Sequence, residues 1–125
     1  MKQLVKTLFR QGNWLHLPKL SDWVVEEAIR IQQIPAPTFH EDVRAKYVFE
    51  KFGQYGLTNT EIDDAKNVYG LVHGVNRSVP AIMIMAHTDT VFSATTDLTI
   101  RREHELIYGP GLGDNSVGVA GMLGL

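Results

Sequence analysis

Residues Ala81-Ile82-Met83-Ile84-Met85-Ala86 constrain this chain more than any other stretch. Six apolar side chains in a row, without alternation, predict a strand covered on both faces, as at the centre of an α/β sheet. His87-Thr88-Asp89 ends the run abruptly. Polar residues placed there stand at the carboxyl end of a strand, where open α/β sheets gather their ligands.

The upstream pattern is helical. Residues 2–10 form a short helix or a mobile lead-in (1–20), broken by Gly12, Asn13 and Pro18. A second helix is expected from Asp22 to about Gln33, with Ser21 as N-cap and Val24, Ala28 and Ile31 as an apolar stripe. Pro35-Ala36-Pro37 ends it. Thr38-Phe39-His40-Glu41 reads as a capping box, with the Thr38 hydroxyl on the Glu41 amide. The helix it opens is expected to turn Val43, Tyr47, Val48 and Phe52 inward and to stop near Gly53 and Gly56.

Strands are expected over 57–62 and 68–75, with Asp63-Asp64 in the turn between them. Residues 98–108 read as a hairpin turning at Glu103-His104-Glu105. Gly109-Pro110-Gly111-Leu112-Gly113-Asp114-Asn115 follows, then an apolar helix from Val117 to Leu125 with no cap or polar tail. The chain therefore reads as the front piece of something longer.

At 125 residues the chain makes one domain. Lys plus Arg number 12 against 14 Asp plus Glu, a net charge of -2, which argues against nucleic-acid and anionic-membrane partners. There is no Cys, so thiolate chemistry is excluded and any metal is held by His and carboxylates. Charged residues interrupt the N-terminal apolar positions, and no stretch reaches membrane-span length, so a cytoplasmic protein is expected.

His87 and Asp89 lie two apart in extended backbone, so they project to the same side. One ring nitrogen of His87 can face a metal while Asp89 orients the ring through the other. The same pattern also fits a surface turn. Asp114 follows three glycines and opens a helix, which fits a carboxylate delivered from a tight loop; a plain N-cap would also explain Asp114, but not the neighbouring glycines. Phosphate binding is disfavoured: there is no Walker lysine, no Lys follows Lys66, and no Arg follows Arg102. His16, His40, His73 and His104 read as surface or packing residues.

The segments "IMIMAHTDTV" and "YGPGLGDNSVG", with "IQQIPAPTFHEDVRAKYVFEKFGQYGL" before them, resemble the co-catalytic zinc peptidases and deacylases. That family includes peptidase T, carboxypeptidase G, acetylornithine deacetylase and succinyl-diaminopimelate desuccinylase. The resemblance covers about residues 22–125 and only the first part of a family member. It implies that residues 1–125 are the N-terminal part of a three-layer α/β catalytic domain. By the same resemblance His87 would bind one zinc ion, Asp114 would bridge two, and Asp89 would orient His87 as a catalytic second-sphere carboxylate. A cis peptide would follow Asp114. One departure stands out: many members carry Lys two residues after the bridging Asp, and this chain has Ser116.

The expected function is hydrolysis of a peptide or N-acyl amide bond by a dinuclear zinc enzyme. The general base, the remaining ligands and a smaller domain for homodimerisation would lie after residue 125, so this chain alone is expected to be inactive. The alternative is a non-catalytic metal-binding or interaction module with an incomplete site.

Overall fold

The computed structural model describes residue 12 and residues 14–125; the expected 2–10 helix lies outside the described residues. A 3-10 turn, Trp14–His16, leads straight into helix α1, Leu17–Gln32. The helix starts earlier than the expected Asp22. Pro18 sits in its first turn, where a missing N–H costs no intrahelical bond, so it opens the helix instead of breaking it. Ser21 is consequently inside the helix, and His16 holds the cap position without a side-chain cap bond. Ala28 and Ile31 are buried with Val24 packed beside them, so the stripe forms as read.

Helix α2, Asp42–Gln54, forms without the capping box. The Glu41 carboxylate accepts from the Phe39 amide at 2.6 Å, and the Thr38 hydroxyl turns away to another segment. The inward row is Arg44, Ala45, Val48 and Phe52. Val43 stands one step off that row and is 65% exposed, contrary to the sequence reading. Gly56 follows α2 with φ 73, the left-handed conformation that closes helix C-termini.

Strands β1, Thr58–Ile62, and β2, Val68–Leu71, pair antiparallel and lie against α2. Asp63 holds their turn by accepting the Asn67 amide at 2.8 Å and its side-chain nitrogen at 2.9 Å. Strands β3, Arg101–Glu103, and β4, Leu106–Tyr108, form the expected second hairpin, with His104 at φ 51 in its turn. Helix α3, Val117–Leu123, packs mainly on α1. It stops short of Leu125, which is exposed.

The core is where the three helices meet: Ala28 and Ile31 of α1, Val48 and Phe52 of α2, Val119 and Ala120 of α3. Beside it, the fully buried Glu27 cross-links α1 and α2. Its carboxylate accepts from the Tyr47 hydroxyl at 2.6 Å and pairs with Lys51 at 3.1 Å and Arg30 at 2.8 Å. Burial alone would raise the Glu27 pKa, but the bonds from Tyr47, Arg30 and Lys51 outweigh it and hold the group ionised below its ordinary value.

The apolar run at 81–86 departs most from expectation. It joins no ladder among the described residues, and Ile82, Met83, Ile84 and Met85 are exposed. A central strand is buried only when neighbours pair along its edges and helices cover its faces. Both described sheets are two-stranded hairpins, and no strand of either pairs with this segment. A cavity of about 500 Å³ is lined by this segment together with Val48, Phe52, Val68 and Met122. No helix among the described residues is long and apolar enough to cross a membrane.

Candidate functional site

Three tethers fix the backbone from which the site is built. Pro37 and Thr90 form a parallel bridge, in which the Thr90 amide donates to the Ala36 carbonyl at 2.8 Å and the Thr38 amide to Thr90 at 3.2 Å. Beneath it, buried Arg44 donates from Nη1 to the Thr88 carbonyl at 2.7 Å and from Nε to Ile34 at 3.1 Å. The planar guanidinium thus clamps the loop after α1 to the stretch that carries His87 and Asp89. Burial lowers its pKa and the Asp89 charge opposes that shift. Finally, buried Gln32 at the end of α1 donates to the carbonyls of Leu98 at 3.1 Å and Pro110 at 3.0 Å, which anchors the glycine-rich loop.

That loop enters through Gly111 at φ 70, where an added Cβ would stand 3.0 Å from Thr90 Cγ2. It then widens into a turn, Leu112–Ser116, in which Asp114 and Asn115 leave helical backbone angles. Asp114 makes no cap bond to α3, so the N-cap explanation is not realised. The Asp114–Asn115 peptide bond is cis, the conformation the resemblance implies. Ser116 is fully buried, and its hydroxyl closes the loop on the Gly111 carbonyl at 2.9 Å. The departure at this position is therefore accommodated by a short side chain with its own bond.

These tethers bring the three expected residues together. His87 Nδ1 lies 3.1 Å from Asp89 Oδ1, and His87 Nε2 lies 2.9 Å from Asp114 Oδ1. The second oxygen of Asp89 accepts from the Thr38 hydroxyl at 2.8 Å. That bond, and then the His87 contact, hold the Asp89 carboxyl below the usual carboxylate range, against partial burial that raises it. The Asn115 side chain reaches the His87 carbonyl from behind at 3.4 Å. Asp114 is the most open of the three, and His87 is half exposed.

The donor set fits a cation. A neutral His87 ring that donates to Asp89 from Nδ1 turns its Nε2 lone pair toward the Asp114 oxygen, and two facing acceptors need a proton or a metal ion between them. His87 Nε2 and Asp114 Oδ1, 2.9 Å apart, are the two atoms that would hold such an ion. The set is nevertheless small. Among the described residues no group of three or more such side chains is arranged to hold a metal ion, and Asp89 engages the far nitrogen of the ring. Other histidines stay apart: His16 stands at the start of α1, His73 meets the Thr58 hydroxyl at 3.3 Å, and His104 occupies the hairpin turn.

Thr38, Arg44 and Asn115 belong to this arrangement and were not singled out in the sequence for it. No family model matches the chain. It is 30% identical over 97 residues to a protein of Pyrococcus abyssi (strain GE5 / Orsay) named as a LysW-lysine/LysW-ornithine hydrolase. The match takes in 78% of this chain and 26% of that protein, so the chain spans about a quarter of the length of the curated relative it matches. Similarity to a hydrolase agrees with the class that the resemblance implied.

Proposed function

We propose that this chain forms the N-terminal part of the catalytic domain of a cytoplasmic dinuclear zinc hydrolase of three-layer α/β architecture, acting on a peptide or N-acyl amide bond. The observation that carries the reading is the His87 ring held between Asp89 and Asp114. His87 Nε2 and Asp114 would be the metal ligands this chain contributes, with Asp114 the carboxylate that could serve two ions. Asp89 sets the tautomer and tilt of the His87 ring, and the fixed loop 109–116 sets the direction of the Asp114 carboxylate. Zinc, when bound, supplies a Lewis acid that polarises the scissile carbonyl and acidifies water. Hydrolysis of the amide by one water molecule would give a carboxylate and an ammonium group.

Full-length protein is to be assayed against dipeptides, tripeptides, N-acyl amino acids, and LysW-lysine and LysW-ornithine conjugates. Turnover that is abolished by chelation and restored by zinc is the expected result; turnover indifferent to chelation overturns the reading. A second reading, a metal-binding or interaction module without catalysis, is favoured by the small donor set. Zinc binding without turnover of any of these substrates would select it.

A further inference from the structure

We propose that Thr38 is a positioning residue for the site, acting through Asp89 on the orientation of the His87 ring. The inference rests on the reading of His87 as a metal ligand and extends it to a residue on a different segment of the chain. A carboxylate that accepts one bond remains free to turn about its Cβ–Cγ bond. Asp89 accepts at both oxygens, from Thr38 Oγ1 at 2.8 Å and from His87 Nδ1 at 3.1 Å. That pair of bonds fixes the carboxylate plane, and the plane fixes the ring.

Thr38 is itself held. Its amide donates to the Thr90 carbonyl at 3.2 Å, and Thr90 donates back to Ala36 at 2.8 Å, so the backbone on both sides of the hydroxyl is pinned to the segment it serves. The hydroxyl has a single proton. Thr90 O, at 3.5 Å, is the poorer acceptor, so the proton goes to Asp89. The resulting chain runs from Thr38 to Asp89 to His87 to Asp114. Thr38 is an exposed residue in a turn, and the helix start beside it takes no cap bond from it, so local stability does not account for the hydroxyl's aim.

Thr38→Val removes the hydroxyl and keeps the shape, whereas Thr38→Ser keeps the hydroxyl. Two readouts are required in the full-length chain: the imidazole nitrogen and proton resonances of His87 in metal-free protein, and the zinc dissociation constant by chelator competition. In Thr38→Val the His87 Nδ1 proton resonance should shift or broaden and zinc should bind roughly 10-fold more weakly, within the range for residues that orient a ligand. Thr38→Ser should restore both, with melting temperatures unchanged across the three proteins. His87 resonances identical in wild type and Thr38→Val overturn the inference. Wild-type protein that fails to bind zinc while its His87 resonances still respond to Thr38→Val overturns the metal reading and leaves the positioning of the ring intact.

Discussion

Asn115 fills the space that a side chain at Gly118 would need: a Cβ there would overlap the Asn115 amide. Gly118 lies in α3, so a glycine at this position weakens the helix by roughly 0.5–1 kcal/mol relative to alanine. The position is spent on Asn115, which reaches the His87 carbonyl. Gly118→Ala is therefore expected to split stability from function. The atoms in the way belong to the Asn115 side-chain amide and not to backbone, so unfolding free energy should change by less than about 1 kcal/mol. Activity should fall about 10-fold as support behind His87 is lost. Urea unfolding and kcat/KM on the same preparations check both halves. The companion variant Gly121→Ala meets nothing within 4 Å and should stabilise without loss of activity.

Glu27 gives the fold an acid limit. Its pKa is lowered in the folded state, so the stability it contributes is complete above its ordinary value of 4.5 and disappears as pH falls through the depressed folded value. Glu27→Gln removes the charge facing Lys51 and Arg30 and should cost about 2 kcal/mol at neutral pH. The variant should also lose pH dependence below 4.5 relative to wild type. Thermal melts from neutral to acid pH measure this, and parallel wild-type and variant curves would refute the assignment.

Arg44 is a structural clamp with a functional position. Arg44→Met keeps much of the buried volume but leaves the carbonyls of Ile34 and Thr88 without their donor, at a cost of about 2–4 kcal/mol. Arg44→Lys should recover only part of this, since an ammonium cannot span two carbonyls with a planar fork. Denaturant midpoints for the three proteins give the comparison.

Much of the site was legible because its signals are local. His87 and Asp89 two apart, and Asp114 after three glycines, are patterns that survive without tertiary context. Thr38 was misread for the same reason. Thr-x-x-Glu spells a capping box within its own segment, and the competing partner, Asp89, is fifty-one positions away. Arg44 gave no signal at all, because its partners are main-chain carbonyls that exist as a pair only after the chain folds. Val43 failed on register: the buried row of α2 is Arg44, Ala45, Val48 and Phe52, and Val43 falls beside it. The run at 81–86 has the pattern of a buried strand, but its burial depends on neighbours, and among the described residues none pairs with it.

The central claim is that Asp114 and His87 share a metal ion, and metal content tests it most directly. Full-length wild type, Asp114→Ala, His87→Ala and Asp89→Ala are to be dialysed and measured by plasma emission, with circular dichroism to show that each is folded. Asp114→Ala should lose most bound zinc and activity, His87→Ala should chiefly empty one position, and Asp89→Ala should keep much of its metal while losing about 10–100-fold in rate. Folded Asp114→Ala protein with the same zinc content as wild type would contradict the account.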